Sequence, residues 1–183
     1  MAKMKTDVLH AILCAAALFL CTTQAWSAEK KATVVRYEAE KAKIVNSTHK
    51  KPDAPAGCER QVFYSGKLAA GGLNTATALA DVKADWSNIA YVSFTNVAAE
   101  KSGKYTVTIA YNGDDDKTIL VRANNGKAQV ISVPRVSGGA WDRMHKIKVT
   151  VELPAGENVL DVSGAIANTG WENIDYIEVG PAN

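Results

Sequence analysis

The sequence predicts an all-β domain, an antiparallel β-sandwich, on three observations. Two long stretches alternate strictly. Tyr105, Val107, Ile109 and Tyr111 are interleaved with Thr106, Thr108 and Ala110, and Ile147, Val149, Val151 and Leu153 with Lys148, Thr150 and Glu152. Period-2 alternation puts one set of side chains on a buried face and the other on solvent. Turn chemistry recurs between such runs, and no amphipathic helical stretch of useful length interrupts them.

In chain order the predicted strands are Val34–Glu40, Ile89–Val97, Tyr105–Tyr111, Thr118–Ala123, Ala128–Val133, Ile147–Leu153, Val159–Val162 and Ile174–Val179. Ser102-Gly103, Asn112-Gly113, Asn125-Gly126, Ser137-Gly138-Gly139 and Pro154-Ala155-Gly156 separate them. These residues take up backbone conformations that β-branched residues resist. Eight or so strands at this spacing make a sandwich or barrel. The exception is Asn46–Asn74, with prolines, glycines, a cysteine and mixed charge, where only Val62-Phe63-Tyr64 reads as strand-like. A long irregular connection inside a domain is usually functional or mobile. It opens on a glycosylation sequon, Asn46-Ser47-Thr48, which matters only in a host with that machinery.

The N-terminus has the layout of an export signal. Lys3 and Lys5 precede an apolar run from Val8 to Cys21, broken only by His10 and too short to span a bilayer comfortably. Cleavage after Ala25 fits the small residues Thr23 and Ala25, with Ala28 as the rival site. The expected organisation is a signal peptide over 1–25, a short extension over 26–33 and one sandwich over 34–180. Secretion follows, to the periplasm, the cell surface or the medium. The net charge of +2 falls to +1 when Lys3, Lys5 and Asp7 leave with the signal. That argues against nucleic acid and against a polybasic membrane patch. Cys14 and Cys21 leave too, so Cys58 is a buried thiol, a free exposed one or an intermolecular link.

Two patches carry a family resemblance: Tyr37-Glu38-Ala39-Glu40, and Trp171-Glu172-Asn173-Ile174-Asp175-Tyr176-Ile177-Glu178-Val179. Between them lie Ser102-Gly103-Lys104-Tyr105-Thr106-Val107 and Leu153-Pro154-Ala155-Gly156-Glu157-Asn158. Together, from about Tyr37 to Val179, these resemble family 35 carbohydrate-binding modules, with family 6 the nearest alternative. The resemblance implies a jelly-roll, galactose-binding-like sandwich, a carbohydrate partner and calcium as cofactor. Asn46–Asn74 departs from it, being longer and less regular than the family's Gly-rich segment.

On the predicted first strand Glu38 and Glu40 leave the same face, their Cα atoms roughly 7 Å apart. By spacing alone a solvated pair beside Lys41 and Lys43 is the default reading. The resemblance instead makes Glu38, Glu40 and Asp175 the ligands of a structural calcium, completed by carbonyls near Gly57–Arg60. Calcium accepts such oxygen donors, whereas nothing here has zinc spacing.

A sugar offers an apolar ring face and an edge of hydroxyls, so its site needs an aromatic platform beside amides or carboxylates. Asn168, Trp171 and Asn173 supply both within six residues, and the resemblance places their loop at the binding end. Edge packing by Trp171 is the alternative. Tyr64 is a candidate second wall. Asn112 and Asp114 open the acidic loop Asn112-Gly113-Asp114-Asp115-Asp116, which is read either as a ligand or second-calcium contact or as a solvated tip. Trp86 and Trp141 are read as packing aromatics, and His49 and His145 are not near any nucleophile motif.

Glycosidases place two carboxylates about 5–10 Å apart across a cleft. The resemblance commits Glu38 and Glu40 to a metal, and no nucleophile elbow, zinc-protease motif or phosphate loop is present. The sequence therefore reads as a non-catalytic binder. A structural or adhesive sandwich that binds no sugar is the second expectation, since one fold hosts many roles.

Overall fold

A computed structural model describes residues 33–47, 49–73, 86–87, 89–113, 117–133, 143–164 and 173–182. The signal peptide and nearly all of the 26–33 extension lie outside these residues, as do Asp114, Trp141, Asn168 and Trp171. Two antiparallel sheets face each other, as the alternation predicted. The first holds β1 (Val35–Glu38), β3 (Cys58–Arg60), β4 (Leu68–Ala70), β6 (Gly103–Asn112), β9 (His145–Leu153) and β11 (Asn173–Pro181). Its order is β3-β4-β11-β6-β9, and β1 also pairs with β11. The second, in order, is β2 (Lys43–Val45), β5 (Tyr91–Ala99), β10 (Gly156–Ser163), β7 (Lys117–Ala123) and β8 (Gln129–Val133). No helix among the described residues is long and apolar enough to cross a membrane.

The alternating residues supply the core. Val107 and Ile109 of β6, Val151 and Leu153 of β9 and Ile174, Ile177 and Val179 of β11 pack in one cluster with Val92 and Phe94 of β5, Ile119 and Val121 of β7 and Leu160 and Val162 of β10. Each is buried, and removing such apolar area from water is the main force closing the sandwich. A smaller cluster of Trp86, Ile89, Leu120 and Ala128 also forms, so Trp86 is a packing residue, as read from the sequence. The Arg122 guanidinium lies 4.3 Å from its ring centroid and bonds Asp161 at 2.7 Å.

Two features differ from the sequence reading, and a third decides among readings it left open. The first strand stops at Glu38, and a single 3-10 turn, Ala39–Lys41, carries the chain to β2 in the other sheet. Ala39 is fully buried there, so the apolar residue between the two glutamates anchors a crossover and not a strand. Secondly, the irregular segment contains a hairpin, β3–β4, and Val62-Phe63-Tyr64 forms its turn. Thirdly, Cys58 is 2% exposed and pairs with Ala70 across that hairpin. Burial, with the Glu40 charge second, pushes its thiol up and depletes the reactive thiolate. Both facts speak against the intermolecular link left open for Cys58.

β11 is held on both sides. β6 pairs along its whole length, while β1 and β4 share its other edge. Arg36 of β1 stacks 3.7 Å from the Tyr176 centroid and bonds Glu178 at 2.6 Å, and Lys146 of β9 reaches Glu178 at 3.5 Å. The hydrogen bond from Arg36 holds the Glu178 carboxyl below its ordinary 4.5. A lowered acid pKa gives stability above the unfolded value that is lost as pH falls through the folded one. Glu178→Gln is therefore expected to cost about 0.5–1 kcal/mol at neutral pH, given the exposure of Arg36. It should also flatten the loss of stability below pH 4.5, as checked by urea melts across pH.

Candidate functional site

The β3–β4 turn brings Ser65 and Gly66 against the three carboxylates predicted as metal ligands. Asp175 is the extra residue of a bulge in β11, where the pairing with β6 steps from Ile174 to Tyr176. A bulge breaks the alternation and re-aims the side chain. The Ser65 amide donates to Asp175 Oδ1 and Oδ2, each at 3.0 Å, and the Ser65 hydroxyl lies 3.0 Å from Asp175 Oδ1 and 2.5 Å from Glu38 Oε2. Glu40 arrives from the crossover turn, and its Oε1 lies so close to Gly66 that a Cβ there would push the carboxylate aside.

One hydroxyl proton cannot satisfy two carboxylates, and no Lys or Arg among the described residues pairs with Glu38, Glu40 or Asp175. Glu40 Oε2 is buried without a hydrogen-bond partner. Burial raises the Asp175 pKa, and the Glu38 and Glu40 charges add to that against the two Ser65 hydrogen bonds. The described residues hold no preassembled cluster of three metal-binding side chains. What they hold is a convergence of acidic oxygens short of positive charge, and an all-oxygen donor set of this kind fits a hard cation such as calcium. Cys58, within the expected Gly57–Arg60 stretch, feels the Glu40 charge, and Ser65 and Gly66, which the sequence reading did not name, meet the carboxylates. Nothing in their local sequence distinguishes them, beyond a glycine following a serine in a turn.

Of the proposed sugar residues, Tyr64, Asn112 and Asn173 come together, and Asp114, Asn168 and Trp171 lie outside the described residues. Tyr64, the candidate second wall, is 3% exposed, because the turn that carries it folds inward. Its hydroxyl donates to Asn112 Oδ1 at 3.0 Å and accepts from Asn173 Nδ2 at 2.9 Å. Asn112 and Asn173 are buried too, and are paired across β6 and β11. Burial is the main cause that pushes the Tyr64 phenol up to about 12, so it stays protonated. The three form a polar layer at the ends of these strands instead of a surface. Beside them Gly71 lies against Asn173 Oδ1 and His49, and His49 Nε2 is 2.8 Å from Glu59 Oε2. Sequence reading missed that pair. Tyr64→Phe removes a buried link between two asparagines and is expected to cost about 1–3 kcal/mol, measured by chemical denaturation.

No protein-family model matches the chain, and no curated protein does. Solved structures do. An exo-β-1,3-galactanase from Phanerochaete chrysosporium with galactose matches at TM-score 0.61 and 23% identity, over 81% of this chain and 29% of that one. A GH26-CBM35 β-(1,4)-mannanase from Podospora anserina matches at TM-score 0.58 and 25% identity, over 82% of this chain and 28% of that one. The chain thus spans under a third of both enzymes. A family 35 carbohydrate-binding module from Clostridium thermocellum matches at TM-score 0.58 and 26% identity, over 82% of this chain and all of that one. The chain has the β-sandwich fold of the family 35 carbohydrate-binding modules.

Proposed function

We propose that this is a secreted, non-catalytic carbohydrate-binding module for a poly- or oligosaccharide, with a structural calcium ion. The observation that carries the reading is the match over the full length of a free-standing family 35 module. Uronic acid-containing and plant cell-wall glycans are the ligand classes to test first. Asp114 belongs to the connection leaving β6 at Asn112, and Asn168 and Trp171 to the one reaching β11 at Asn173. The buried Asn112–Tyr64–Asn173 layer supports this strand end from beneath, so Trp171 would give the stacking surface and the amides its hydrogen-bonding edge.

Glu38, Glu40 and Asp175 would hold the calcium, which supplies the positive charge that the three carboxylates lack. Its role is stability: it would tie the β3–β4 turn to β11 and to the crossover turn. Among the described residues, the carboxylates that converge are the three given to the ion, which is why the reading is a binder.

A glycan array with and without calcium, repeated with Trp171→Ala, tests the reading. Binding lost in Trp171→Ala is expected, and binding that survives it refutes the proposed site. The self-satisfied burial of Tyr64, Asn112 and Asn173 favours the adhesive alternative, which takes over if no glycan is retained in millimolar calcium.

A further inference from the structure

A pocket of about 230 Å³ opens between β1 and β5, lined by Arg36, Tyr37, Glu38, Lys41, Ala42, Phe94 and Thr95. Its origin is topological. β2 covers β5 only over Tyr91–Ser93. Just beyond, β5 bulges: it takes three steps from Phe94 to Val97 while β10 takes two, and Asn96 sits at φ 58°. The bulged edge then faces β1 across a gap. One contact spans it, from the Ala98 amide to the Tyr37 hydroxyl at 3.1 Å.

We propose that this pocket is a second ligand site, for a single carboxylate-bearing sugar unit. Two cations line it, Arg36 and Lys41, against one carboxylate, Glu38, whose Oε2 already receives the Ser65 hydroxyl. Arg36 gives Nε and Nη2 to Glu178, and its Nη1 has no partner among the described residues. A guanidinium beside an ammonium is a donor set for a carboxylate. Half-buried Tyr37 and Ala42 supply apolar surface for a ring face above the buried Phe94, and exposed Thr95 adds a polar residue to the lining. At this volume the pocket falls below the size of ordinary small-molecule sites and suits one ring, not a chain. None of its residues belongs to the Asn112–Tyr64–Asn173 layer. The inference borrows from the proposed function only that the ligand is a sugar.

The test is an amide NMR titration of the whole domain with glucuronate, glucose and acetate at low salt. Glucuronate is expected to shift the amides of Tyr37, Ala42 and Thr95, with a dissociation constant on the order of 1 mM. Glucose should fail to do so. Lys41→Gln should weaken binding about tenfold, and added salt should weaken it further. Thr95→Trp, at an exposed position, should fill the mouth and abolish the shifts. Equal shifts with glucose would overturn the charge assignment, and equal affinity for acetate would overturn the sugar assignment. Glucuronate shifts unchanged by both variants would overturn the site. A positive glycan array without these shifts sinks this inference and leaves the loop site standing. A blank array with these shifts does the reverse.

Discussion

Metal-free protein given calcium at about a hundred times its dissociation constant is expected to melt about 5–10 °C higher. An ion bound only by the native state contributes about 2.7 kcal/mol at that excess, and a domain of this size gains about 2–4 °C per kcal/mol. The gain would come from Glu38, Glu40 and Asp175, which meet at Ser65 and Gly66 and form no ion pair among the described residues. Asp175→Asn separates this from a purely structural role. It removes a buried charge that its surroundings disfavour, so the metal-free variant should be no less stable than the metal-free parent. With calcium present, the variant should lose most of the shift. Calorimetry with and without chelator reads both, and identical melting of the parent in the two buffers would dispose of the ion.

Asn158→Ala should be the most damaging single change outside the apolar core, at about 3 kcal/mol. Asn158 is 2% exposed and lies two residues after the glycine that turns β9 into β10. Its two amide hydrogens are shared among the carbonyls of Val97, Pro154 and Gly156, at 3.0–3.3 Å. Its oxygen accepts from Asn124, whose own oxygen accepts from the Val159 amide. Truncation strands several buried groups at once, each costing about 1–3 kcal/mol when unsatisfied, with some relief from water near the turn. Urea unfolding measures it, and a loss below about 1 kcal/mol would show that the clip is decorative.

The long strands were legible because alternation needs length to be seen. β6 and β9 carry four apolar residues each at every second position, and they appear within two residues of where the pattern put them. β2, β3 and β4 have three residues apiece, too few to display a period, and they are strands only because distant partners hydrogen-bond them. The same limit governed the site. The acidic residues could be picked out by type, but their meeting depends on a bulge at Asp175 and a crossover after Glu38, which are properties of pairing. Ser65 had no signal at all. Tyr64 was picked out for its aromatic ring but is used for its hydroxyl, a distinction made by burial alone.

The pairing of Val35 with Val179 means that the chain comes into the sandwich and leaves it along neighbouring strands. Adjacent strands lie about 5 Å apart, so a host protein could accept the whole domain in one surface loop with little change to either end. The tether would also set the aim. Val179 is six residues along β11 from Asn173, about 20 Å towards the opposite end of the strands. A domain anchored by its ends would therefore hold the Asn112–Asn173 corner away from its anchor, free to sweep a surface.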